Sequence, residues 1–261
     1  MRRVAAILLL FSLLSAFAGS PTELYLQGNR AYEEGDFAEA IEAYNSAIAM
    51  GGNDSRLFYN LGNAYFRAGL IGEAVLAYER ALYLAPRDKD IQHNLDFVRR
   101  TRVDVIADKD GNPIRSLYED TPVGFFYNLL GKFTFGEFIL ASAIFTMLAT
   151  LTLFFGIILR GRKKRVFKGL SIAFWSIAIV ILIPYAFKKT HIWDSDKAIV
   201  IAPKAELRSA PSPTSQLNYT LRPGHEVAIR EARGEYSRVF LRNGDDNWVL
   251  SEHIERVIPE R

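Results

Sequence analysis

Four asparagines, Asn29, Asn60, Asn63 and Asn94, stand out in this 261-residue chain because they recur at a fixed spacing. A carboxamide gives and accepts hydrogen bonds at once, which suits it to the backbone of an extended polypeptide. Asn29 and Asn63 are 34 residues apart, and so are Asn60 and Asn94. Reaction chemistry is harder to find. His93, His191, His225 and His253 form neither H-E-x-x-H nor any other metal-ligating spacing. There is no G-x-S-x-G and no phosphate-cradling glycine loop. Cysteine is absent, which removes disulfides, thiolate zinc sites, cysteine nucleophiles and lipidation at an N-terminal cysteine. The pattern points away from an enzyme, and it calls for no cofactor or metal.

The 34-residue offset belongs to a whole segment. GNRAYEEGDFAEAIEAYNSAI recurs as GNAYFRAGLIGEAVLAYERAL, matching Gly28, Gly35, Ala40, Tyr44 and Ala47 to Gly62, Gly69, Ala74, Tyr78 and Ala81. That order of glycine, aromatic, glycine, alanine, aromatic, alanine, proline resembles the tetratricopeptide repeat (TPR) family. The resemblance implies an all-α solenoid that binds polypeptides rather than transforming them. It also puts the four asparagines at first-helix positions lining a concave groove. The family's carboxylate-binding subtype carries basic residues where this chain has Tyr25, Asp90 and Asn94, so an internal peptide segment is the expected occupant. Recurrence in register is equally what duplication of a repeat leaves behind, so a purely structural role for the asparagines stays open.

Helices must position these residues. Ser20-Pro21-Thr22-Glu23 reads as a capping box with proline at the first turn, opening a helix that stops at Gly35. Asp36 with Glu39 opens a second helix to about Met50. Asp54 or Ser55 opens a third, to about Ala68, and a fourth runs from Ile71 to Ala85 before Pro86. Gly28, Gly62, Ala40 and Ala74 belong where paired helices cross, with Tyr44 and Tyr78 filling the gaps. DIQHNLDFVRR keeps the register into a capping helix, with Arg99 and Arg100 on its outer face. Two repeats and a cap over 20–101 are short for a solenoid, so the cap or a partner must contribute.

Three apolar runs set the topology. Val4–Ala18 follows Met1-Arg2-Arg3 and ends in A-x-A, which marks residues 1–18 as a signal peptide cleaved between Ala18 and Gly19. Residues 138–159 and 169–187 are uncharged and long enough to cross a bilayer at about 1.5 Å per residue. Between them, 160–168 carries Arg160, Arg162, Lys163, Lys164, Arg165 and Lys168 with no acidic residue, a cytoplasmic loop by the positive-inside rule. Both signals put the flanking regions outside the cytoplasmic membrane. With no ionisable group inside either span, anchoring is favoured over a channel or transporter.

The linker, 102–136, holds a loop cluster at 108–113 and an amphipathic stretch, 125–135, suited to lie on the outer leaflet or to bind a partner. Residues 194–259 read as six or so short strands, a small all-β barrel. AELRSAPSPTS, LRPGHEV, GEYSRVFL and NWVLSEHI resemble the bacterial SH3-like family, with Tyr236 for its tryptophan and Asn247 for its glycine. Trp248 is expected in that module's core. The charge is spread without a nucleic-acid footprint: residues 20–100 hold 8 Lys/Arg against 12 Asp/Glu, and 190–261 hold 10 against 11.

The order of parts makes a multidomain membrane protein and resembles the BatE-type proteins of the aerotolerance operons. That resemblance implies a membrane complex with von Willebrand A-domain proteins and a MoxR-type ATPase, serving envelope stress tolerance. A peptidoglycan-binding or sensing anchor acting through the SH3-like module is the alternative.

Overall fold

The structure is a computed structural model and describes residues 20–102, 133–190, 196–241 and 243–258. The expected signal peptide, with Ala18 and Gly19, lies outside the described residues, as does nearly all of the amphipathic stretch at 125–135.

Among the described residues five helices come first: α1 (Pro21–Glu34), α2 (Phe37–Ala49), α3 (Ser55–Ala68), α4 (Ile71–Leu84) and α5 (Lys89–Arg102). Their ends follow local chemistry. The Ser20 hydroxyl accepts from the Glu23 amide at 3.2 Å while the Glu23 carboxylate accepts from the Ser20 amide at 2.7 Å. Asp36 and Asp54 cap α2 and α3, and α1 and α3 end at Gly35 and Gly69 with φ of 85° and 80°. Between the helices of each repeat, a tyrosine packs against a glycine. A methyl group added at Gly28 would lie 2.5 Å from the Tyr44 ring, and one at Gly62 would lie 2.7 Å from the Tyr78 ring. Both tyrosines are buried, as are Ala40, Ala47, Ala74 and Ala81.

Two long apolar helices follow: α6 (Phe135–Ile158) and α7 (Arg162–Thr190). Both are long and apolar enough to cross a membrane. They pack as a hairpin, with the Ser171 hydroxyl donating to the Ala149 carbonyl at 2.9 Å and Ser142 to that of Ala178 at 3.3 Å. Leu140, Met147, Ile157, Ile172 and Ile183 face outward, which in water would be costly and in lipid is not. The turn is tighter than the expected loop at 160–168. It is confined to Leu159, Arg160 and Gly161, the last at φ 65°, and Arg162, Lys163, Lys164, Arg165 and Lys168 ride on the first turns of α7.

Seven strands follow among the described residues: β1 (Lys197–Val200), β2 (Ala205–Arg208), β3 (Leu217–Leu221), β4 (Glu226–Arg233), β5 (Tyr236–Phe240), β6 (Asp246–Leu250) and β7 (Ile254–Arg256). They form one antiparallel sheet in the order β3-β2-β6-β5-β4-β1-β7. The expected barrel is not closed, because β3 and β7 are edges that do not meet. Strand alternation also moves Trp248: Asn247 and Val249 point inward and are buried, leaving Trp248 half-buried on the outer face beneath Arg233, 5.5 Å from its ring.

The sheet docks on α4 and α5. Ile199 and Val257 join Val75, Leu76, Tyr78, Leu95 and Val98 in one buried apolar cluster. Burying Ile199 alone contributes roughly 1.5–3 kcal/mol. A methyl group at Gly72 would sit 2.6 Å from the Val200 carbonyl oxygen, so only glycine lets the backbones approach this closely. The Arg80 guanidinium caps the edge strand, donating to the carbonyls of Val257 at 3.1 Å and Arg256 at 2.9 Å and pairing with Glu255 at 2.7 Å. Beside the apolar cluster, four charges close a ring. Glu79 pairs with Arg99 and with Lys197 at 2.8 Å, and Glu226 pairs with Arg99 at 3.1 Å and Lys197 at 3.3 Å. Arg99 therefore faces inward, contrary to expectation, while Arg100 stays exposed.

Burial by itself would raise the Glu79 carboxyl, but Lys197 and then Arg99 overcome this and hold it below the usual carboxylate range. Its folded-state proton affinity is thus below its unfolded one. The stability this supplies is complete above the unfolded value, about 4.3, and is lost as pH falls through the folded value. Urea unfolding should show the midpoint dropping on acidification below about pH 4.3, with a shallower drop in Glu79→Gln; equal slopes would contradict the ring's role. Gly62→Val should cost about 1–3 kcal/mol through overpacking against Tyr78, read in the same assay.

Candidate functional site

The first helices of the repeats, α1 and α3, stand side by side with α5 and form the concave face. The second helices, α2 and α4, lie behind them. Each repeat builds the same polar unit. In the first, the Tyr44 hydroxyl donates to Asn29 Oδ1 at 2.8 Å, and Asn60 Nδ2 donates to Asn29 Oδ1 at 2.9 Å and to the Tyr25 hydroxyl at 3.1 Å. In the second, Tyr78 donates to Asn63 Oδ1 at 2.7 Å, and Asn94 Nδ2 donates to Asn63 Oδ1 at 2.9 Å and to the Tyr59 hydroxyl at 3.0 Å. Every member of the second unit is the first shifted by one repeat.

The four predicted asparagines are brought together as two pairs, each anchored to a core tyrosine. Burial pushes the Tyr44 and Tyr78 phenols well above the ordinary tyrosine value, so both remain donors throughout the neutral range. Half of each amide is used internally. Asn29 and Asn63 keep Nδ2, and Asn60 and Asn94 keep Oδ1, without a hydrogen-bond partner among the described residues, and none of these atoms is sealed from solvent. The concave face thus offers donors and acceptors in alternation. A depression of about 220 Å³ lies here, lined by Asn29, Tyr32, Glu33, Tyr44, Asn60 and Asn63. The ladder ends at the next register position, where Phe97 stands instead of asparagine, exposed and edge-on to Phe66 at 5.9 Å.

Residues 25–89 match the tetratricopeptide repeat family. No curated protein matches the chain. The TPR match indicates protein partners in general and a family of scaffolds rather than catalysts. It stops at Lys89, whereas the register continues in space, since Asn94 on α5 completes the second amide pair.

The basic residues from Arg160 to Lys168 sit at the closed end of the helical hairpin, remote from the groove in the chain. Sequence reasoning missed Glu79, Lys197 and Glu226, and assigned Arg99 outward. One signal was available. Ala198-Ile199-Val200-Ile201 is a continuous apolar run without alternation, the mark of a strand covered on both faces.

Each amide pair should be worth more to the fold than a surface contact. Asn60→Ala and Asn94→Ala each remove two partly buried hydrogen bonds, so each should lower stability by about 1–3 kcal/mol in urea unfolding. Equal and smaller losses, near zero, would mean that the pairs are solvent-exchanged and not preformed.

Proposed function

We propose that the protein is a membrane-anchored scaffold on the extracytoplasmic side of a bacterial inner membrane, holding an extended internal segment of a protein partner in the TPR groove through Asn29, Asn60, Asn63 and Asn94. The observation that carries this is the alternation of free amide donors and acceptors along the concave face, repeated in register. Such a ladder complements the N–H and C=O groups of an extended backbone without regard to its side chains. Phe97 and Phe66 add an apolar contact at one end, favouring an occupant with an aliphatic or aromatic side chain there.

The topology has two supports. Six basic residues at the turn of the hairpin favour the cytoplasm for that end. The docking of the C-terminal sheet on the TPR helices requires both to be on one side, which an even number of spans between them allows. By resemblance to BatE-type proteins, the partners are von Willebrand A-domain membrane proteins acting with a MoxR-type ATPase in envelope stress tolerance. Neither catalysis nor a cofactor enters this reading.

The test is co-purification from native membranes. The Asn60→Ala/Asn94→Ala double variant, checked to be folded, should lose an A-domain partner that the wild-type chain retains; retention in the variant counts against the groove. A second reading, a peptidoglycan-binding anchor, is favoured by the outer face of the sheet. Phe240 and Trp248 lie there beneath Arg230 and Arg233, at 4.8 and 5.5 Å. Binding of the full chain to purified cell wall, abolished by Trp248→Ala, would support that reading, and absence of binding by the wild-type chain would end it.

A further inference from the structure

The two TPR repeats are short of the three units that usually stabilise such a stack, and among the described residues no third repeat follows. The place of the next unit, against α4 and α5, is taken by the sheet. Leu95 and Val98 of α5 bury themselves between α4 and the sheet residues Ile199 and Val257, and Arg99 of the same helix closes the four-charge ring. The other edge of α5 carries Asn94, half of the second amide pair.

We propose that the C-terminal sheet serves as the solenoid's third unit and that Glu79, Arg99, Lys197 and Glu226 are positioning residues for the groove: docking fixes α5, and α5 in turn holds Asn94 against Asn63. The apolar cluster supplies most of the attraction. The ring supplies its orientation, because each partly buried charge must keep an opposite partner within reach while apolar contacts are non-directional. Each cation touches both carboxylates, so neither module can slide without separating opposite charges that are largely withdrawn from water.

The ring's place in the chain gives this a consequence. Arg99 is three residues from the end of α5, where the chain leaves for the apolar hairpin, and Lys197 opens β1, where it returns. From Thr190 to Lys197 the chain can reach at most about 25 Å. At the other flank, Arg87 of the α4–α5 corner pairs with Glu137 at the start of α6. β1 starts seven residues after the hairpin ends, so a displacement of the hairpin bears on β1, which the ring joins to α5 and so to one half of the groove.

A charge exchange within the sheet tests this. Lys197→Glu with Glu226→Lys preserves net charge and keeps opposite charges on neighbouring strands. It also puts a carboxylate against Glu79 and a cation against Arg99, reversing both contacts across the interface. The full chain in detergent micelles is followed by hydrogen exchange, without any partner, so the outcome is independent of whether the groove holds a peptide. Exchange in α5 should rise tenfold or more, with α1, α2, β5 and β6 unchanged. Gly72→Val, which wedges the sheet from α4 without altering any charge, should do the same. Unchanged α5 protection in either variant overturns the proposal. So does a uniform rise that includes α1 and α2, since the helices would then have no separate dependence on docking.

Discussion

A carboxylate buried in the middle of an apolar helix must be answered by cations, and Glu79 draws them from two other parts of the chain. Arg99 comes from the next helix and Lys197 from a strand more than a hundred residues on, with Glu226 balancing the second positive charge. Withdrawing four charges from water is expensive, and a closed alternating ring offsets part of the cost by giving each charge two opposite neighbours. Around it, the apolar cluster of Val75, Leu95, Val98, Ile199 and Val257 excludes the solvent that would otherwise screen the ring. Helical repeats and sheet share one core here, and neither has a complete one at this face without the other.

That shared core explains the division of surfaces. α4 presents one side to α3, and its far side to the sheet. On the concave face of the first helices the asparagine pairs are held from behind by Tyr44 and Tyr78. The tyrosines can reach the amides because Gly28 and Gly62 let the aromatic rings approach the neighbouring helix closely. A side chain at either glycine would lift the ring and take the phenol away from its asparagine. Packing inside the repeat and polarity in the groove are therefore one design seen from two sides.

How far this could be read from the residues depended on the range of the interaction. Helix ends written in a few neighbouring residues, such as Ser20 with Glu23 or the stops at Gly35 and Gly69, were legible because the chemistry is local. So was the 34-residue register, including its continuation to Asn94. The asparagines could be placed in a groove, yet their pairing across repeats was not visible, since Asn29 and Asn60 meet only after two helices stack. The longest-range features were misread. Arg99 looked solvent-facing because its partners, Glu79 and Glu226, lie on α4 and β4. Trp248 looked like core because tryptophan usually is, but the inward positions of β6 fell to Asn247 and Val249. A closed barrel was expected from strand count alone, and strand count does not report that β7 finds its cover in Arg80.

The placement of Arg80 and Gly72 carries the same logic to the sheet's edge. A small antiparallel sheet with two free edges invites pairing with other chains, and closure into a barrel is the usual remedy. Here one edge is disposed of differently: a guanidinium occupies the carbonyls at the end of β7, and β1 is pressed so close to α4 that only a glycine fits between the backbones. The docking that completes the helical stack also protects the sheet. An assembly in which each half relieves the other's defect is hard to separate gradually, because losing the contact exposes an apolar cluster, an unpaired carboxylate and a strand edge together. Cooperative release of this kind is what would let two modules joined through an apolar hairpin behave as one head.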